Sequence, residues 1–258
     1  MTSTETPLDP SAPVKSPRAP RIWKFWGTTL WGLVIFAALF LGQLAVVAWL
    51  ILRGDSSFDF SMLRTMLSSG TTISLSVMMG LPAVCAAIWL ATRISGTPFA
   101  DYLALRGTSW RNFVLGAISL MVLVGCWDLL SRALGRNVAP GFMVDVLRSA
   151  QADGALWLLV LAFCVAAPMT EEFFVRGFLY RGWSESFLRP AGAILLLSAV
   201  WTAMHLQYDW FFFGEVFSIG LLLGWLRYRC NSIWLTVFVH GLNNLAATVQ
   251  SIWLASHP

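Results

Sequence analysis

The sequence predicts an all-α fold, a polytopic membrane bundle of about seven transmembrane helices. Three observations predict it: 57% of the residues are hydrophobic, only 12% are charged, and apolar stretches near bilayer length recur along almost the whole chain. At a mean hydropathy of +0.70, the chain has too little polar surface to cover a water-soluble globule of its size. Lipid is therefore the expected solvent, and a single helical bundle is the simplest partition.

In chain order, Met1–Pro20 is rich in Pro, Ser and Thr, lacks apolar periodicity and reads as a disordered tail that ends by about residue 25. Basic residues then precede an apolar stretch from Trp26 to Leu52, too long for a signal-peptide core and without a small-residue cleavage site. At about 20 apolar residues per span, further helices are expected at Thr71–Thr92, Trp110–Leu130, Ala155 onward, Ala191–Leu206, Asp209–Leu226 and Ile233–Leu254. Residues 26–150 form the N-terminal membrane part and 151–258 a four-helix core.

The basic residues are distributed unevenly. One set of connections holds Lys15, Arg18, Arg21, Lys24, Arg93, Arg106, Arg111, Arg176, Arg181, Arg189, Arg227 and Arg229. The alternate set holds Arg53, Arg64, Arg132, Arg136 and Arg148. Basic flanks stay in the cytoplasm, so the N-terminus is expected inside and the C-terminus on the opposite side. Trp23, Trp26, Trp49, Trp110, Trp183, Trp210 and Trp253 lie near predicted span ends, where indole rings favour the interface, whereas Trp89 and Trp157 are expected to pack. The net charge of +4 comes without a basic block carrying interleaved aromatics, so no nucleic-acid partner is expected. The four cysteines are scattered in apolar segments without CxxC pairing, which argues against a disulfide framework or a zinc knuckle.

Several polar residues interrupt the apolar spans: Glu171 and Glu172, His205, Glu215, and His240 with Asn243 and Asn244. An ionisable group at a helix centre costs roughly 2.5 to 3.5 kcal/mol on insertion scales, so each requires a partner or a purpose. Adjacent helical residues point about 100° apart, while residues four apart share a face. Glu172 therefore sits over Arg176 in a supporting ion pair and Glu171 faces elsewhere. His240 and Asn244 share one face of the last helix, and Asn243 points away from it, toward an interhelical hydrogen bond. A pair of interface charges is the bland alternative for the glutamates, and a hydrogen bond to a neighbouring carbonyl the alternative for His205.

Pro190 and Gly192 mark the turn between the fourth and fifth spans, near Leu188–Gly192. Glu171 and His205 are each about seventeen residues from that turn, level with one another and about 25 Å from its tip. His240 is only about 12 Å from the start of its own helix, so the three meet if the hairpin is displaced by about 10 Å. The common site would then lie toward the cytoplasmic face.

These residues resemble the CPBP intramembrane proteases, the CAAX protease, bacteriocin-processing or Abi family, over Pro168–Leu245. The Glu-Glu-x-x-x-Arg motif stands as Glu171, Glu172 and Arg176, followed by Gly177; the Phe-x-x-x-His motif as Trp201 and His205; and the His-x-x-x-Asn motif as His240 and Asn244. Trp201 departs from the Phe of the pattern. The resemblance implies a catalytic core in which Glu171 activates water, His205 helps bind it, and His240 with Asn244 steadies the oxyanion. It implies an intramembrane endopeptidase with no cofactor. Zinc held by Glu171, His205 and His240 is the rival within the enzyme class, although no HExxH helix is present.

The expected partners are membrane lipids and a peptide or membrane-associated protein substrate. A non-catalytic membrane scaffold or immunity protein retaining the same fold is the alternative from another class. A transporter using Glu171, Glu215 and the histidines as a proton relay is disfavoured by the absence of a repeat between the two halves.

Overall fold

The structure, a computed structural model, describes residues 21–53 and 59–256. The expected N-terminal tail through Pro20, with Lys15 and Arg18, lies outside the described residues. The described residues form ten helices: α1 (Phe25–Arg53), α2 (Phe60–Ser68), α3 (Gly70–Ser95), α4 (Phe99–Leu103), α5 (Trp110–Ala133), α6 (Gly141–Ala152), α7 (Leu156–Ser184), α8 (Arg189–Ala203), α9 (Trp210–Cys230) and α10 (Ile233–Ser256). Together they make the all-α membrane bundle that the composition demands.

Each expected span falls on one of these helices. Five of them, α1, α3, α5, α7 and α9, are long and apolar enough to cross a bilayer. Helix α8 has fifteen residues and reaches about 22 Å, less than the hydrocarbon thickness. Helix α10 has 24 residues, but His240, Asn243 and Asn244 lower its hydropathy. Five helices therefore qualify as crossings by length and composition alone, and α8 and α10 complete the bundle around the polar residues.

Helices α2, α4 and α6 were not expected, because each is short and carries no long apolar run. Helix α6 packs on α3 through Gly70, where an added Cβ would stand 2.6 Å from the Ala150 nitrogen and the Val146 oxygen. Residues 21–24 lie against the end of α3: Arg21 N–H donates to the Ser95 carbonyl at 3.1 Å, and Trp23 Nε1 donates to Ala91 O at 3.2 Å.

The caps follow from residue chemistry. Ser69 accepts from Thr72 N–H at the start of α3, and Gly96 ends that helix with φ 77°. Asp209, expected inside a helix, instead caps α9 by accepting from Phe211 and Phe212 N–H. The α7–α8 turn occupies 185–188. Pro190 sits in the first turn of α8, where its missing N–H is no loss, and Gly192 lies inside the helix. The breaker residues therefore open α8 and do not form the turn.

The tryptophans divide differently from expectation. Trp26, Trp49, Trp110, Trp210 and Trp253 are exposed on the bundle's rim, but Trp183 is buried and donates from Nε1 to Thr29 Oγ1 at 3.1 Å. Trp89 and Trp157, expected to pack, are exposed. All four cysteines are free.

Helix α7 is mostly buried and departs twice from α geometry, with π segments at Ala162–Ala166 and Phe173–Leu179 on either side of the glutamates. A π segment leaves backbone carbonyls poorly served by its own helix. In each segment a side chain from another helix takes one: Asn244 Nδ2 donates to Phe163 O at 2.8 Å, and Arg227 Nε donates to Arg176 O at 3.0 Å. Helix α10 approaches the first segment closely because position 241 is glycine; a Cβ there would stand 2.8 Å from Cys164 O.

Gly241→Val should therefore push α10 off α7 and destabilise the protein by about 1–3 kcal/mol. Thermal unfolding in detergent will show a lower midpoint than wild type. Gly125→Ala on α5 has open space around the new methyl and should lose no stability.

Candidate active site

Glu171 and Glu172 sit between the two π segments and point to different surroundings, as the 100° step requires. Glu172 is wholly buried, whereas the Glu171 side chain retains 22% of its exposure. That difference separates a structural carboxylate from one that can meet a water molecule.

Glu172 Oε1 accepts from Arg176 Nη1 at 2.9 Å, the ion pair expected from the spacing. It also pairs with His240 Nδ1 at 3.0 Å, a contact across to α10 that the sequence reading did not contain. Arg176, with its guanidinium carbon 4.4 Å from the Trp201 ring centroid, also reaches Gly220 O from Nη2 at 3.4 Å. Gly220 lets α9 come close to α8, since a Cβ there would stand 3.0 Å from Ser198 Cβ. Both Arg176 and Arg227 are buried. They are parts of the bundle's interior and carry no topology signal, although the remaining arginines and lysines keep the same bias between connections.

Glu171 Oε2 accepts from Trp201 Nε1 at 2.5 Å and stands 4.0 Å from His240 Nε2. Trp201 belongs to α8, so its bond to Glu171 ties α8 to α7 one turn before His205, the residue expected to lie level with Glu171. His205 lies one turn further along and holds the Trp201 carbonyl from Nδ1 at 2.8 Å. A carbonyl only accepts, so Nδ1 carries the proton and Nε2 of a neutral ring is left as an acceptor. The Trp201 ring stacks edge-on to both imidazoles, with centroids 5.0 Å from His205 and 5.2 Å from His240.

The structure thus brings Glu171, His205 and His240 around one indole. Asn244 stands one turn beyond His240, as the spacing requires, with its amide directed at Phe163 O and not at Glu171 or the histidines. Asn243, expected to bond between helices, donates to Asn244 Oδ1 on its own helix at 3.2 Å. Glu215 lies on α9, outside the cavity described next.

A cavity of about 700 Å³ opens beside Glu171 and His205. Its apolar walls come from α1 (Gly32, Leu33, Phe36, Leu39, Phe40), from Phe174 and Leu179 of α7, and from Val200 and Met204 at the α8 end, with Gln43 and Gln207 as further polar lining. Among the described residues, no three His, Cys, Asp or Glu side chains are grouped to hold a metal ion.

Trp201 is the residue whose part in the site went unread. The signal was present, because Trp201 is four residues before His205 and must share its face. An indole, unlike phenyl, carries a donor that a buried carboxylate will take.

Residues 153–246 match the family model described as Rce1-like, type II CAAX prenyl endopeptidase Rce1-like. No curated protein and no solved structure matches the chain. The matched segment contains Glu171, Glu172, Arg176, Trp201, His205, His240 and Asn244 together. Through residues 153–246, on a bundle of bilayer-length apolar helices, this integral membrane protein is similar to the CPBP/CAAX family of intramembrane proteases.

Proposed function

We propose that the protein is an intramembrane endopeptidase that hydrolyses a peptide bond with a water activated by Glu171, near the cytoplasmic face. The observation that carries this reading is the pairing of a partly exposed Glu171 with a fully buried Glu172 at the end of a large apolar cavity. Under the basic-residue bias the N-terminus is cytoplasmic and the C-terminus is on the other side.

In this mechanism Glu171 takes a proton from water as the water oxygen bonds to the scissile carbonyl carbon. His205, with Nδ1–H committed to the Trp201 carbonyl, accepts a hydrogen of that water at Nε2. The developing oxyanion is met by His240, with Asn244 behind it holding α10 to α7. Glu171 then returns its proton to the leaving nitrogen as the C–N bond breaks.

The apolar walls fit a substrate carrying an apolar group next to its cleaved bond. The family description names CAAX prenyl endopeptidases, so an internally quenched peptide ending in an isoprenylated Cys-aliphatic-aliphatic-X sequence is the probe of choice. Glu171→Gln and His205→Ala should each lower turnover of this probe by at least about 100-fold, the scale of a lost general base or its positioning. Thermal midpoints should stay near wild type, and retained turnover in both variants overturns the mechanism. Membranes carrying Glu171→Gln should accumulate uncleaved precursors by proteomics; a cellular phenotype unchanged by the substitution favours the scaffold reading.

We favour a reaction without zinc, because among the described residues no three His, Cys, Asp or Glu side chains are grouped as a ligand set. Purified protein should carry less than stoichiometric zinc by elemental analysis and keep its turnover through chelation. Loss on chelation with recovery on adding zinc would replace this mechanism with a metal-dependent one.

Arg176→Met leaves Glu172 without its cation inside the bundle and should cost about 3–5 kcal/mol, the range for breaking a buried pair. Denaturant or thermal unfolding in detergent measures it.

A further inference from the structure

Trp201 donates to the one carboxylate oxygen of Glu171 that the protein engages: Oε2 takes the indole N–H at 2.5 Å, and no hydrogen bond to Oε1 is formed among the described residues. The indole is itself held. It is 2% exposed, the Arg176 guanidinium lies 4.4 Å from its ring centroid, and the His205 and His240 rings meet it edge-on. A donor so enclosed has one direction available.

A hydrogen bond to an ionised acceptor is roughly twice as strong as a neutral one, and its strength rises where water is scarce. The bond crosses from α8 to α7, and α8 also carries His205, four residues on. One helix therefore sets both the carboxylate and the imidazole that line the cavity. Phenylalanine, which the resembling motif has at this position, offers packing but no donor. The tryptophan of this chain adds an interaction to the site.

We propose that Trp201 is a positioning residue for the reaction: its indole N–H fixes the Glu171 carboxylate by Oε2 and leaves Oε1 free to take the proton of the attacking water. The inference rests on Glu171 being the base, and it adds that the base is oriented from α8. Among the described residues no backbone N–H donates to the carboxylate, so the indole is what stops it rotating toward Nε2 of His240, 4.0 Å away.

Two measurements on the full chain in detergent test this. Trp201→Phe keeps a ring under Arg176 and removes the donor; replacement by benzothienylalanine keeps the bicyclic shape and removes only the N–H. With the isoprenylated quenched peptide, both should lower kcat by about 10- to 100-fold, the span for a lost hydrogen bond to a charged group, with KM within about twofold. In ¹⁵N-indole spectra, the Trp201 resonance, assigned by its loss in Trp201→Phe, should move upfield in Glu171→Gln.

Wild-type kcat in the benzothienylalanine protein, or an indole resonance unmoved by Glu171→Gln, overturns the positioning role. A raised KM with unchanged kcat also overturns it, since that places Trp201 in substrate binding. Turnover that survives Glu171→Gln overturns the reading of Glu171 as the base, while the spectra still report whether the bond exists.

Discussion

Glu172, Arg176 and His240 meet at a single carboxylate oxygen, which accepts from the guanidinium at 2.9 Å and pairs with the imidazole at 3.0 Å with no exposed surface on the glutamate. Isolated, any of these groups would be too costly to keep within lipid. Joined, they tie α7 to α10, and Arg176 extends the tie to α8 through the Trp201 face and to α9 through the Gly220 carbonyl. Four helices are thus registered to one another by the requirement that a buried charge be matched. The bonds around Glu171 take their geometry from that registration, because Trp201 and His240 are both positioned by it.

The backbone of α7 answers a related requirement. Two π segments place the glutamates on a stretch whose neighbouring carbonyls are served from outside the helix, by Asn244 at Phe163 and by Arg227 at Arg176. These polar side chains would be costly next to lipid, and the carbonyls would be costly unpaired. Each offsets the other. Residues that a hydropathy reading counts against α9 and α10 are the same ones that hold those helices to α7.

Much of this was legible in the residues, for a reason rooted in the solvent. In a bilayer a polar side chain is expensive enough that its presence carries information, and Glu171, Glu172, His205, His240 and Asn244 stood out for that reason. Spacing then separated Glu172 from Glu171, because a four-residue interval in a helix is a statement about faces. Periodicity could not reveal the pairing of His240 with Glu172 or the direction of the Asn244 amide, since both depend on how helices distant in sequence rotate about their axes. The π segments were hidden too, as their cause lies in partners on other helices. Arg176 and Arg227 misled the count of basic flanks because a buried arginine and an interfacial one look alike in sequence. Trp183 and Trp157 changed places for the same reason.

The cavity has an unequal inheritance. Glu171 and His205 belong to the segment 153–246 that carries the family match, but the wall formed by Gly32, Leu33, Phe36, Leu39 and Phe40 belongs to α1, more than a hundred residues earlier. Under the proposed hydrolysis, mutations in α1 can enlarge, narrow or reshape the apolar chamber while every proton-handling group stays untouched. Selectivity and chemistry are then free to evolve at separate rates. Relatives with the same three motifs need not share a substrate, and the first helix is where their preferences would diverge.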